Sequence, residues 1–241
     1  MVKRVLVRVM DGIGLGPPAR QMRDRLRSAG FGGWTPLVPE AAFTECIQTA
    51  IGALLREESA ETFGDYLEFG VSRGTSLACV FHVLQKAGLR RVRLIGFDSF
   101  EGLPPEAANE GWRPGDFRST YAATHRYLTN QGVDFERVTI VKGWFRDTLT
   151  PETRRRLSIA KASLIMIDCD IYSASKEALA FCEPHIRERA VIVFDDWGWD
   201  ADRIGQKEAF AEFLAEHPRL QADPLPAYIP QARVFLVRDR G

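Results

Sequence analysis

Apolar residues recur along this chain in two rhythms, and the alternation between them predicts a fold class. Short, nearly unbroken apolar runs occupy positions 66–69, 92–97, 138–141, 164–167, 191–194 and 234–237. Runs of that length, rich in β-branched and aromatic residues, read as strands buried on both faces of a sheet. Between them apolar residues fall three and four apart. Phe43, Cys46, Ile47, Ala50, Ile51 and Leu54 mark a helix over 42–55, and similar spacing marks helices over 76–86, 173–182 and 205–216. Residues 2–9 alternate weakly and are read as a further strand, followed by a polar helix around 19–29. Strands alternating with helices predict an α/β fold with a mainly parallel, seven-stranded sheet and right-handed crossovers.

Two departures from this rhythm divide the chain. A Pro- and Gly-rich stretch over 30–39 sets residues 1–35 apart as an N-terminal extension, with one domain expected over 36–241. The connection over 98–137 is also long, since a crossover helix needs only a dozen or so residues. Its first half holds Pro104, Pro105, Gly111, Trp112, Pro114 and Gly115. A segment of this composition at the carboxyl edge of a sheet is a lid candidate, placed at about 101–126.

Charge and composition remove some functions. The 241 residues carry 32 basic and 32 acidic side chains, so no overall field favours nucleic acid or an anionic membrane. Apolar residues make up 45% of the chain, ample for a core, and no run approaches the length of a membrane span. Asp11 and nearby glycines interrupt the start, unlike a signal peptide. Cys46, Cys79, Cys169 and Cys182 show no CxxC spacing and read as buried free thiols in a reducing cytoplasm. Gly12, Gly14 and Gly16 superficially match a dinucleotide fingerprint, which would suggest a nicotinamide-dependent oxidoreductase. Pro17 and Pro18 follow, however, and remove amides that would hold a phosphate.

The chemistry gathers where strands end. Asp168 and Asp170 flank Cys169 after the run 163–167, and Asp195 and Asp196 follow the run 191–194. In parallel sheets ligands bind outside the carboxyl ends of the strands. Four carboxylates gathered there repel one another unless a cation sits between them or some take up protons. The first strand runs into Glu68, Gly70, Ser72, Gly74 and Ser76, a turn whose glycines permit tight backbone and close ligand approach. No Gly-Lys-Ser/Thr follows, so this is not a P-loop. Asp98 ends the second strand, where a carboxylate can accept both hydroxyls of an adenosine ribose. Turn and Asp98 together read as a nucleoside site.

Five stretches carry a resemblance: YLEFGVSRGTS at 66–76, IGFDSFEGLP at 95–104, VKGWFRDTL at 141–149, IDCDIYSASKEAL at 167–179 and VFDDWG at 193–198. In this order they resemble the macrocin O-methyltransferase (TylF-like) family of S-adenosylmethionine-dependent enzymes, over about 60–215. The resemblance implies a Rossmann-like class I methyltransferase fold and Mg²⁺-dependent methylation of a hydroxyl, usually on a sugar of a natural product. It implies that Glu68, Gly70 and Gly74 lie against the methionine portion of the cofactor and that Asp98 holds the ribose. Ser72, Ser76 and Ser99 complete the expected cofactor-binding set. Asp168, Asp195 and Asp196 would bind the metal, and Asp170 would be the base, with His125 as second choice because it follows the lid. The sequence departs from the family at Cys169, where glycine is usual, at Trp197, and in the tail from Tyr228 to Arg233. Trp112 and Trp144 are candidates for the acceptor pocket.

The expected partner is a small-molecule hydroxyl acceptor, with homo-oligomerisation left open. A catechol would use the same metal-centred site, because a diol on an arene binds a cation in the same way. A scaffold that binds a nucleoside without reaction is the non-enzymatic alternative, opposed by the intact acidic set.

Overall fold

A computed structural model describes residues 40–198 and 204–241. The predicted strand at 2–9, the helix around 19–29 and the extension over 1–35 lie outside the described residues. The described residues open with α1 (Glu40–Leu55), β1 (Asp65–Phe69), α2 (Thr75–Lys86) and β2 (Leu94–Asp98), then α3 (Tyr121–Asn130) and β3 (Val138–Lys142). Two short helices follow, α4 (Phe145–Thr148) and α5 (Pro151–Leu157), then β4 (Ala162–Ile167), α6 (Tyr172–Cys182) and β5 (Arg189–Phe194). The chain closes with α7 (Gln206–Glu216), β6 (Leu220–Leu225) and β7 (Arg233–Asp239). The seven strands lie in the order β3-β2-β1-β4-β5-β7-β6. The first five are parallel, and β7 runs antiparallel to both β5 and β6.

The unbroken apolar runs have a direct reading in the packing. Successive strand residues point to opposite faces. Tyr66, Leu94, Leu164, Met166, Val191 and Val193 face the layer of α1 and α2. Their neighbours Leu67, Ile95, Ile165, Ile167, Ile192 and Phe194 face α6 and α7. Both faces are covered, so β1 and β4 are buried along their whole length.

The seven-stranded sheet is as expected. Among the described residues its strands fall within 65–239, and one of them, β6, is not marked by the apolar pattern. Its sequence, LQADPL, holds Asp223 and Pro224 and is largely exposed. Proline is tolerated because β6 is an edge strand. The apolar pattern marks no element over 143–161, where α4 and α5 form. Thr150 caps α5, its Oγ1 accepting from Thr153 N at 3.2 Å, and Pro151 takes the first position.

The lid candidate is built, not featureless. Its first part closes on itself: Leu103 N donates to Asp116 O at 3.0 Å and Gly115 N to Leu103 O at 2.8 Å. A Cβ on Gly102, at φ +80°, would lie 2.4 Å from Asp116 O, so this crossing requires glycine. Leu103 and Ala107 pack on Ile171. The Glu110 carboxylate accepts from Tyr172 N at 2.7 Å and Ser173 N at 3.2 Å, which caps α6 from a distance. Its last part, from Tyr121, is the start of α3.

Candidate active site

The carboxyl ends of β1, β2, β4 and β5 open into a cavity of about 710 Å³. Its floor is set by the turn after β1. Gly70 sits at φ +95°, and a Cβ there would lie 1.7 Å from Asp168 O on the neighbouring strand end. Glycine is therefore what lets the turn after β1 and the acidic strand end touch. The next residues are fixed by Asp98. One of its carboxylate oxygens accepts from Val71 N at 2.8 Å and Ser72 N at 2.7 Å, and the other from Phe100 N at 2.5 Å. Burial raises the Asp98 pKa, and these three amides work against that rise. The predicted ribose acceptor is thus also the residue that shapes the turn, leaving a minority of its lone pairs for a ligand.

Gly70, Ser72, Ser76, Asp98 and Ser99 line the cavity, as do Asp168, Asp170, Asp195 and Asp196. Glu68 and Gly74 are not among its lining residues. Glu68 is fully buried, accepting from Tyr66 Oη at 2.6 Å and Ser76 Oγ at 2.7 Å, and burial pushes its pKa up to about 7. Gly74 is pressed against Leu128 of α3, where an added Cβ would come within 3.0 Å. His125 is not brought to the cavity. It is exposed on α3, its ring stacked on Phe135 at 4.4 Å. Helical periodicity explains this: Ala123, Thr124 and Leu128 form the buried face of α3, and position 125 falls outside it.

The acidic set converges as expected. One carboxylate oxygen each from Asp168, Asp195 and Asp196 lies within 4.8 Å of the others. Burial raises Asp168 well above the usual carboxylate range, and Asp195, Asp196, Asp170 and Glu68 raise it further. Asp196 is pushed up by burial, then by Asp170 and Asp195. Asp170, held at φ +62°, is raised to about 7 by burial first and then by Asp195, Asp116 and Asp98. Asp196 Oδ2 is buried with no hydrogen-bond partner. An all-oxygen set with an orphaned carboxylate oxygen fits a hard divalent cation such as Mg²⁺ and does not favour Zn²⁺.

The upper walls are aromatic. Trp112, Phe117, Trp144 and Phe145 line them, with Arg146 paired to Glu106 at 2.6 Å. Trp197 does not reach the cavity but packs on Phe194 at 5.2 Å and Phe235 at 5.1 Å. Cys169 is a buried filler, its sulfur 3.5 Å from Ser175 Oγ. All four cysteines are buried free thiols.

Among the lining residues that carry no sequence signal, two stand out. Arg73, almost fully buried, lines the cavity beside the start of α2. Tyr228, from the loop before β7, lines it and donates its hydroxyl to Asp195 Oδ1. Sheet order explains the second. Antiparallel β7 begins opposite the end of β5, with Arg233 in register with Phe194, so the loop before it arrives beside Asp195.

A family model described as Macrocin-O-methyltransferase (TylF) matches residues 43–223. Among curated proteins the chain is 30% identical over 152 residues to 8-demethyl-8-(2,3-dimethoxy-alpha-L-rhamnosyl)-tetracenomycin-C 4'-O-methyltransferase of Streptomyces olivaceus, covering 58% of this chain and 55% of that protein. It is 26% identical over 167 residues to mycinamicin III 3''-O-methyltransferase of Micromonospora griseorubida, covering 64% and 61%. The match thus spans less than two thirds of these relatives' length. Among solved structures, the O-methyltransferase NovP aligns with TM-score 0.66 at 19% identity, over 88% of this chain and 86% of that one. CalS11, the calicheamicin methyltransferase, aligns with TM-score 0.61 at 21% identity, over 78% and 77%. These structural likenesses establish the Rossmann-like class I fold.

Proposed function

Because the chain belongs to the macrocin-O-methyltransferase (TylF) family, we propose that it is an S-adenosylmethionine-dependent O-methyltransferase acting on a sugar hydroxyl of a secondary metabolite, with Mg²⁺ as its metal. The observation that carries this reading is the joining of two half-sites across one glycine. The turn held by Asp98 supplies a nucleoside seat, and the Asp168–Asp195–Asp196 cluster touches it through Gly70. Two relatives named for methylation at numbered sugar positions support a glycoside acceptor over a catechol.

Each residue has a physical task in this reading. Asp98, through the carboxylate capacity not spent on the turn at Val71 and Ser72, holds the nucleoside end of the cofactor. Asp168, Asp195 and Asp196 would hold Mg²⁺, which when bound supplies a positive charge beside the acceptor oxygen and favours its deprotonated form. Asp170 takes the hydroxyl proton as the oxygen–methyl bond forms and the sulfur–methyl bond breaks. Burial, the largest cause of its raised pKa, suits a carboxylate to that transfer, and such a group contributes about 10²–10⁴ in rate. Trp112, Trp144 and Phe117 offer flat apolar surface to a sugar ring or aglycone. Residues 101–120 would act as the lid that excludes water, which their packing on Ile171 and α6 supports.

The test is incubation with methyl-labelled S-adenosylmethionine and a panel of glycosides, with Mg²⁺ and with chelator. Label transfer to a sugar hydroxyl that chelator suppresses is the expected result. Transfer that survives chelator would leave the methyltransferase reading standing and remove the metal from it. Absence of S-adenosylhomocysteine binding by calorimetry would remove the whole reading.

A further inference from the structure

Among the three clustered carboxylates, Asp195 is distinguished by a side-chain hydroxyl that donates to it, and that hydroxyl comes from a distant part of the chain. Tyr228 lies in the loop between β6 and β7, 33 residues after Asp195. Its place is fixed from three sides. The ring of Phe43 on α1 meets it edge-on at 5.0 Å. The loop is tied to the segment after β5 by Gly198 N donating to Gln231 O at 3.2 Å. At the start of the loop, Cys46 Sγ donates to Pro226 O at 3.6 Å. These contacts hold the loop and the ring in the arrangement in which the hydroxyl reaches Asp195.

We propose that Tyr228 is a positioning residue for the metal centre, acting through Asp195, in a role that rests on the Mg²⁺ reading above. By donating to Oδ1, the phenol fixes the rotation of the carboxylate and with it the direction of Oδ2. A ligand so held loses less freedom when the cation arrives. The partner also makes Asp195 unlike Asp196, whose Oδ2 has no hydrogen-bond partner. A hydroxyl that orients a ligating carboxylate typically changes metal affinity by about 10- to 100-fold when removed. The tail that departs from the family pattern thus reaches the centre of the site.

The substitution that isolates this role is Tyr228→Phe, which keeps the ring against Phe43 and removes only the oxygen. Binding of Mn²⁺, a spectroscopic stand-in for Mg²⁺, is followed by electron paramagnetic resonance on the full-length protein. S-adenosylhomocysteine affinity and thermal midpoint are measured alongside. The expected result is Mn²⁺ affinity about 10- to 100-fold weaker, with S-adenosylhomocysteine affinity within about twofold and the midpoint little changed. Unchanged Mn²⁺ affinity would overturn the proposal. So would a loss matched by an equal loss of S-adenosylhomocysteine binding, which would make Tyr228 a support for the cofactor end or for the fold. Should wild type bind S-adenosylhomocysteine but no Mn²⁺, the metal reading itself falls and this role falls with it.

Discussion

Charged side chains at the amino ends of β1, β4 and β5 meet partners of opposite sign, whereas those at the carboxyl ends of β4 and β5 face other carboxylates. At the amino end Asp65 receives two hydrogen bonds from the Arg93 guanidinium, at 2.5 and 3.0 Å. Lys161, just before β4, pairs with Glu58, and Arg189 at the start of β5 lies 3.3 Å from Glu57. At the other end, no ion pair to Asp168, Asp170, Asp195 or Asp196 occurs among the described residues. Every one of the four has a raised pKa, with burial as the largest cause. A fold that pairs its charges at one edge and concentrates like charge at the other is not merely tolerating polar residues. The unpaired edge holds stored repulsion that a cation or protons can relieve.

The largest effect should come from the unpaired end. Asp168→Asn is expected to cut methyl transfer by at least about 10²-fold, the scale of a metal's charge stabilisation. It should also raise the thermal midpoint in chelator, because one of the crowded charges is gone. A lower midpoint in chelator would break the comparison. Gly70→Ala tests the contact that joins the two half-sites. The clash with Asp168 O and the positive φ predict a loss of about 2–4 kcal/mol in urea unfolding. At the paired end Asp65→Asn should do the opposite of Asp168→Asn. It strips a half-buried Arg93 of its charge partner and should lower stability by about 1–2 kcal/mol, measured the same way.

The smallest effect at neutral pH belongs to His185, which is buried just before β5 near Arg154 and Arg187. Burial, then those two guanidinium groups, lower its pKa to about 4. Above pH about 6.5 the imidazole is neutral in both folded and unfolded chains and costs nothing. As pH falls from there toward 4, the unfolded chain takes up the proton first, so stability falls with pH. The slope reaches about 1.4 kcal/mol per pH unit. His185→Gln should leave stability at pH 7.5 nearly unchanged relative to its own baseline and flatten that acid limb in denaturant titrations at pH 4–6.5. An unaltered limb would show that other groups carry the acid sensitivity.

The contrast also separates what could be read along the chain from what could not. Asp168, Asp195 and Asp196 were legible because each directly follows a run that only a buried strand explains, and strand ends in a parallel sheet share one edge. Asp98 and Gly70 were legible for the same reason, but their mutual dependence was not. That Asp98 spends its oxygens on Val71, Ser72 and Phe100, and that Gly70 is required by a neighbour nearly a hundred residues away, are facts about approach distances. His125 was a plausible base by sequence position alone. Its face of α3 was decided by which residues of that helix found the core.

The sequence by itself determined the parallel core, the alternation of strands with helices and the edge on which the acids gather, because buried strands impose local patterns that survive in one dimension. It also determined the family, through motifs that lie at those same strand ends. Only the tertiary structure decided the rest. Exposed β6 carries no apolar signature, so its place at the sheet's edge emerges only from pairing with β7. Tyr228 reaches Asp195 only because β7 turns antiparallel beside β5, and a contact across 33 residues leaves no periodic trace. Local pattern records burial, whereas contacts between distant loops are set by how the strands are ordered, and that order exists only once the sheet is assembled.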